Sequence, residues 1–527
     1  MTTISRRIVL LGAAATACVP ARRSVPNSLV VGLTYDIDTL NVYSTGFLGD
    51  VEAAVVEGLL APDENARYVP VLATEVPTVE NGGIVLTPEG GMTITYKLRP
   101  GVRWHDGAPF SAADVAFTWR AVGNPAFIAE SKDGTEDIVA IDTPDALTVV
   151  CHYRKVVPGF ATTLFTFGIL PRHLLEGVDL NTAPYNDRPV GTGPFRVTDF
   201  RRGQYVTTER NPYYWRRDAA GRQLPYLDSL IFKIIPNSNS LLMQIRSGEL
   251  DLVVATPYDQ AKQMGTLDGV ELVRSPVLQW QHLDFNFRNP ALQDRAVRLA
   301  IAHAVDRAAL VRALGGFPQA ITSVVVPIFP FHDPATPTPG HDPARARAIL
   351  DAADWRVGSD GVRAKDGRRL DFRFIVQSGK GDDELAQQVI IAQLQAIGIL
   401  ARADNRAGVA YRQARYKGDF DLIYSAWVTG ADPIYSRFFG SGGANNSLKY
   451  ANPALDRVLA TMEGSLDAET RRAAAFEMQR ILAHDLPTIP LTTNVAVVTK
   501  RRALTGFTPN PTNMTPFVGA AFWRLDA

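Results

Sequence analysis

Apolar and polar positions alternate over Met92, Ile94, Tyr96 and Leu98, a period of two that predicts a strand with one buried face. Arg99-Pro100-Gly101 turns this strand, and Val102 and Trp104 restart the alternation against Arg103 and His105, predicting a short second strand. Asp106-Gly107 breaks the chain again. Ser111, with Asp114 three residues on, forms a capping box, and Val115, Trp119 and Val122 then share one face of a helix. Further along, residues 226–233 read as a strand and 240–245 as a helix stopped near Gly248. Residues 283–286 alternate as a strand, and 294–314 read as one long helix. The six prolines in 326–343 exclude a ladder there, and Asp342-Pro343 caps and opens the next helix. A strand (372–376), a helix (384–394) and a strand (420–427) then alternate, which argues for a parallel α/β core in that third of the chain. A helix over 468–484 follows.

At 527 residues, 46% hydrophobic and 20% charged, the chain is globular and long enough for two or three domains. Lys plus Arg and Asp plus Glu both number 54, so no net charge draws it to nucleic acid or anionic lipid. The first 24 residues follow other rules. Arg6-Arg7 precedes an uncharged run over 8–17 that is too short to cross a bilayer but suits the core of an export signal. Ser5-Arg6-Arg7-Ile8-Val9-Leu10 also has the form of a twin-arginine signal. Ala15-Thr16-Ala17-Cys18 reads either as a lipobox, with Ala15 where Leu is usual, or as an A-x-A cleavage site. The first reading makes Cys18 the lipidated residue of a protein tethered at the cell surface or in the periplasm. Only Cys151 then remains in the mature chain, which can form no internal disulfide. No second apolar run reaches the length of a membrane span, so the mature protein is expected to be soluble, or soluble on its tether.

Residues 96–122 carry leucine-arginine-x-glycine-x-x-aromatic-x-aspartate-glycine and then serine-alanine-x-aspartate-valine. This order resembles the signature of the family 5 extracellular solute-binding proteins, the dipeptide-, oligopeptide- and nickel-binding receptors of ABC importers. Gly191-Thr192-Gly193-Pro194-Phe195 with Arg210-Asn211-Pro212-Tyr213-Tyr214-Trp215 resembles a second signature of that family, and Val56-Glu57-Gly58-Leu59-Leu60 its "EGL" element. The resemblance runs from about residue 30 to the C-terminus. It implies an α/β, two-lobed periplasmic binding protein fold of the class II, or cluster C, type, with an inserted domain and a cleft closed by a hinge. On that pattern residues 1–24 are signal peptide and tether, 25–53 with 190–285 and 490–527 form lobe I, 54–189 the inserted domain, and 286–489 lobe II.

Catalytic motifs are weak. Ser378-Gly379-Lys380-Gly381 lacks the leading glycine and the closing Ser or Thr of a phosphate loop, and Phe439 stands where a nucleophile elbow around Ser441 needs glycine. The histidines do not pair at helical ligand spacing, so no metal and no cofactor is expected. The expectation is a receptor without catalytic activity, working as a monomer, whose partners are a peptide or other small polar solute and the permease and ATPase subunits of an importer. Nucleic acid is excluded as a partner, and membrane contact is limited to the lipid tether. The rival from another class is an exported, glycosidase-like hydrolase using cleft carboxylates.

Two segments correspond to ligand-contacting segments of the family. Thr34-Tyr35-Asp36 ends the opening strand; Asp36 falls near a position where some peptide receptors face a basic ligand side chain with an acid, and it equally suits a cap for the turn before Leu40. Ser425-Ala426-Trp427-Val428-Thr429-Gly430-Ala431-Asp432-Pro433 resembles the family's W-x-x-D-x-x-D-P, with Trp427 either an apolar cleft wall or a core residue. The family's peptide receptors hold the peptide ammonium with the first of those aspartates, because a desolvated cation needs a fixed counter-charge. This chain is one residue shorter there and keeps only Asp432, which looks like the second, largely structural aspartate. Unless Asp432 or Asp36 takes over, unmodified dipeptides are expected to bind weakly, and modified peptides, opine-like conjugates, oligosaccharides and metal chelates gain weight as ligands.

Overall fold

One mixed sheet of eleven strands runs through both lobes of the computed structural model, which describes residues 27–526 apart from 46–48, 131, 133, 163, 429–431, 433 and 513–514. Ten strands make its path: β1 (Ser28–Leu33), β2 (Phe195–Arg201), β3 (Tyr205–Arg210), β4 (Ser229–Ile234), β5 (Leu252–Val253), β6 (Val270–Phe285), β7 (Asp371–Ile375), β8 (Leu400–Ala403), β9 (Leu422–Val428) and β10 (Thr488–Arg501). Their spatial order is β8-β7-β9-β6-β10-β5-β1-β4-β3-β2, and Gln319–Ala320 pairs with β10 off this path.

Each lobe holds a parallel region. β1 runs parallel to β4 and β5 in lobe I, and β7 runs parallel to β8 and β9 in lobe II. Parallel strands are covered by helices on both faces and so read as continuous apolar runs rather than alternations. All six residues of β1 are accordingly buried. The two regions are joined by β6 and β10, antiparallel strands of 16 and 14 residues. Their ladder shifts register between Pro276 and Trp280 and again between Gln281 and His282, where the sheet passes from one lobe to the other. Such irregularities bend and twist a ladder locally.

Lobe I contains α1 (Asp50–Val55), packed against the turn Pro516–Phe522 near the C-terminus. A separate antiparallel sheet then forms from Ile84–Leu86, Met92–Lys97, Thr148–Tyr153 and Ile138–Asp145, covered by α2 (Ala112–Gly123). The Ser111–Asp114 capping box is present, and Val115 and Val122 are fully buried. The second short strand is not: Arg103 and Pro109 make an isolated bridge, because Gly107, at φ 88°, turns the chain before a ladder can extend. Cys151 is buried with a free thiol, while Cys18 and the export signal lie outside the described residues.

After β4 and β5 come α3 (Ser238–Ser247) and α4 (Tyr258–Met264). The long helix expected over 294–314 is instead two, α5 (Arg295–Ala304) and α6 (Arg307–Ala313). Asp306 divides them: its side chain accepts a hydrogen bond from the Ala309 amide at 3.0 Å, so the aspartate caps a new helix rather than continuing the old one. Asp342 caps α7 (Pro343–Ala352) in the same way, through the Arg345 amide at 2.8 Å. α8 (Gly381–Gln395) follows β7, α9 (Gly408–Lys417) follows β8, and α10 (Ala468–Asp485) leads into β10. No helix among the described residues is long and apolar enough to cross a membrane.

Candidate functional site

In open α/β sheets ligands bind outside the carboxyl ends of parallel strands, where loops and helix starts project functional groups. In lobe I the ends of β1 and β5 lead to Tyr35-Asp36 and to Tyr258-Asp259 at the start of α4. In lobe II the end of β7 leads to Asp382-Asp383 at the start of α8, and β9 ends at Trp427-Val428. Of these, Tyr258-Asp259 lies against Asp382-Asp383. Burial raises the Asp382 carboxyl and nearby Asp259 raises it further; burial pushes Asp383 up to about 6, against the opposing pull of Lys380. Tyr424, on β9, has Asp383, Asp382 and Tyr258 all within electrostatic reach.

In lobe II, β9 ends at Trp427-Val428, and Trp427 is packed among rings. β9 pairs it with Trp280 on β6, and its ring stacks on His282 at 5.6 Å and 10° and meets Phe438 at 4.1 Å. The Arg415 guanidinium, from α9, covers the ring at 3.8 Å, a cation–π contact. Trp427 is 9% exposed, and it belongs to a cluster with Trp280, Tyr435 and Phe439. Arg415 Nη2 and Trp427 Nε1 are both buried and donate to no described residue. Beneath them His282 Nδ1 and Asp284 Oδ1 lie 2.7 Å apart with both side chains fully buried.

The lobe I wall holds acids. The Tyr35 hydroxyl donates to Asp50 Oδ2 at 2.7 Å, tying the end of β1 to the start of α1. Burial pushes Asp50 up to about 6, while bonds from Tyr35 and Thr515 oppose it; burial pushes Glu52 up to about 8, with Asp50 and Asp38 adding to the rise. Asp36 accepts from the Ile37 amide at 2.8 Å and the Gly203 amide at 3.1 Å, so it shapes its own turn while lining a small cavity with Tyr35, Asp38, Asp50 and Glu52.

Asp432 sits apart from this wall. It is ion-paired with Arg471 on α10, and both side chains are mostly buried. Burial raises its carboxyl, and the Arg471 guanidinium pulls it down. Gly159 of the inserted domain lies close to the Asp432 backbone, so this aspartate stands where the inserted domain meets lobe II. Its neighbours Thr429-Gly430-Ala431 and Pro433 lie outside the described residues.

The two signature segments meet each other rather than the crevice. His105 Nδ1 accepts from the Gly191 amide at 3.1 Å and Nε2 faces the Gly193 carbonyl at 3.1 Å; burial lowers this imidazole to about 4, so it stays neutral. Glu57 accepts from Thr192, Tyr214 and Trp215 at 3.1, 2.9 and 3.0 Å and so fastens the "EGL" segment to both parts of the second signature. Sequence reasoning did not single out Arg415, Asp382, Asp383, Asp50 or Glu52. Arg415 lies in a run with two other cations over 412–417, and the acids look like ordinary first-turn helix acids.

Two lobes whose parallel strand ends meet at Tyr258-Asp259 and Asp382-Asp383 have the architecture of a two-lobed solute-binding receptor. Among the described residues no group of three His, Cys, Asp or Glu is placed to hold a metal ion. The chain belongs to the bacterial extracellular solute-binding proteins of family 5, whose middle-region model matches residues 67–446. It is 29% identical over 499 residues to protein XP55 of Streptomyces lividans, covering 90% of this chain and 86% of that one. It is 27% identical over 493 residues to the glutathione-binding protein GsiB of Salmonella paratyphi A, covering 91% of each. The fold matches that of the oligopeptide-binding protein AppA of Bacillus subtilis, solved with a nonapeptide, at a TM-score of 0.78 and 24% identity over 95% of this chain and 99% of that one.

Proposed function

We propose that this chain is the exported substrate-binding subunit of an ABC importer, which captures a peptide or another small polar solute between its lobes and delivers it to the membrane permease. Membership of the solute-binding family and the relatives named for glutathione and oligopeptides support this reading. Tyr35, Asp36 and Trp427 line the capture site together with Arg415, while Asp432 holds the frame beside it. The inserted domain and lobe I move against lobe II about β6 and β10. Closure around the solute shifts the population towards the form that the permease recognises. The chain works as a monomer without catalysis, held at the membrane by a lipid on Cys18 after export by the twin-arginine route.

The observation that carries the ligand class is the charge of the crevice. Asp259 of lobe I faces Asp382 and Asp383 of lobe II, with Asp50 and Glu52 buried behind the end of β1, and burial raises four of these five carboxyls. Against them stand Arg415 and Lys380, the latter beside Asp383. A desolvated set of acids calls for a cation, so the solute carries a positive group. Mass spectrometry of the small molecule that copurifies with the mature protein tests this. A peptide, amino-sugar or other amine is expected, and a neutral or purely anionic molecule overturns the ligand class. Turnover of chromogenic glycosides by the pure protein, lost on substitution of Asp382 or Asp383, would replace the receptor by a hydrolase.

A further inference from the structure

The peptide receptors of this family place their ammonium anchor in lobe II, and the corresponding stretch here is shortened. Lobe I carries a feature that no described residue satisfies. Glu52 is 1% exposed and Asp50 3%, and both lie in α1. Asp50 has Tyr35 and Thr515 as donors, but Glu52 Oε2 is buried with no hydrogen-bond partner among the described residues. The charged groups that act on Glu52 are Asp50 and Asp38, both acidic. A buried carboxylate oxygen facing two other acids is costly unless a donor or cation arrives.

The space beside it has a definite size. Tyr35, Asp36, Asp38, Thr45, Gly49 and Glu52 line a cavity of about 10 Å³, room for one water-sized group. The Glu52 carboxylate lies over Gly49, where a Cβ would overlap it, so the glycine leaves the acid access to the cavity. A guanidinium is planar and needs a wider, forked partner, whereas an ammonium is compact and offers three donors. No metal-holding group of acids forms among the described residues.

We propose that this cavity is the binding site for a primary ammonium group of the solute, with Glu52 Oε2 accepting one of its N–H bonds and Asp50 supplying the second negative charge. The proposal rests on the solute-receptor reading and relocates the ammonium anchor from lobe II to lobe I. A solute held here by its ammonium and at Arg415 by an acceptor bridges the two lobes, and so couples binding to closure.

Methylammonium is a direct probe, with tetramethylammonium as a control of equal charge that has no N–H and cannot enter. Saturation-transfer NMR on the ligand-stripped mature protein at pH 8 is expected to show transfer to methylammonium and none to tetramethylammonium. Glu52→Gln should weaken methylammonium binding about tenfold, the effect of losing one charge-assisted hydrogen bond. Gly49→Ala, whose backbone is unstrained and whose Cβ crowds the carboxylate, gives a second variant should Glu52→Gln fold poorly. Equal transfer to both cations, or an unchanged methylammonium response in the folded variants, overturns the site. Tight peptide binding that survives Glu52→Gln sinks the site while leaving the receptor reading intact. A methylammonium response in a protein that retains no amine from the cell sinks the assignment to the solute instead.

Discussion

Asp432 and Glu52 are both buried acids, one in each lobe, and they differ in what neutralises them. Asp432 has Arg471 against it, with both side chains under 20% exposed. Glu52 has its own backbone amide as a donor, only acids among the charged groups near it, and one oxygen without a donor among the described residues. A buried acid whose cation comes from the same chain is complete before any solute arrives, and its work is to hold α10 against the loop after β9. An acid left incomplete is held in readiness for something from outside. The family pattern reads Asp432 as the second, largely structural aspartate, and its pairing with Arg471 agrees with that; the charge balance singles out Glu52.

The largest expected effect lies on the lobe II side of this comparison. Trp427 touches His282, Phe438 and Arg415, so Trp427→Ala opens a cavity among packed rings and should cost about 4 kcal/mol in urea unfolding. Solute affinity should fall with it. If stability were untouched and only affinity dropped, Trp427 would be a pure cleft wall and the packing account would fail.

Asp432→Asn is next. Removing one partner of a mostly buried pair leaves the Arg471 guanidinium uncompensated, at about 3 kcal/mol. Affinity for the copurified solute should change less than about threefold, because a residue that holds the frame at a distance adds within a few tenths of a kcal/mol to binding. Full stability with lost binding would make Asp432 the anchor and undo the contrast with Glu52.

Much of the architecture was legible in the chain. Strand alternation placed Met92–Lys97, the Ser111–Asp114 spacing placed α2, and Asp342-Pro343 placed the start of α7. Apolar continuity gave the regions of β7 and β9. What failed was local and had a physical cause. Residues 294–314 keep helical periodicity across Asp306, so only the aspartate's bond to the Ala309 amide reveals the break. β8 has four residues and α9 is Arg- and Lys-rich, too short or too polar to stand out. The site was less legible than the fold. Tyr35 and Trp427 follow from the family pattern, but Asp50 and Glu52 sit two apart in a six-residue helix, and nothing in that spacing shows that Tyr35 and the turn Pro516–Phe522 bury them.

The lobe I side can be tested without a ligand. Glu52 rises from 4.5 unfolded to about 8 folded, so between those values the folded state keeps a proton that the unfolded chain releases. Stability therefore falls as pH rises from about 4.5 to about 8 and levels off above. Asp50, raised from 3.8 to about 6, adds a slope of the same sign lower down. Glu52→Gln should remove the upper part of the slope and gain about 2 kcal/mol at pH 8, less than the full shift implies because Asp50 and Asp38 share the interaction. A wild-type profile flat between pH 6 and 8 would mean that Glu52 has a partner after all.

Arg415→Gln should have the smallest effect, and it sharpens the comparison most. The guanidinium lies over Trp427 with Nη2 donating to no described residue, so its loss should cost the fold little beyond the cation–π contact, about 1 kcal/mol or less. Solute affinity should fall about tenfold, one charge-assisted hydrogen bond. Combined with Glu52→Gln it tests whether one molecule touches both lobes. Groups far apart that act on separate ligands weaken binding independently, whereas two ends of one bridging solute also govern closure. In the double variant, small-angle scattering of the protein with its solute should therefore remain that of the open form, while each single variant still closes at saturating solute. A double variant that closes as readily as the wild type would show that Glu52 and Arg415 do not share a ligand, and the lobe I acid would then need another occupant.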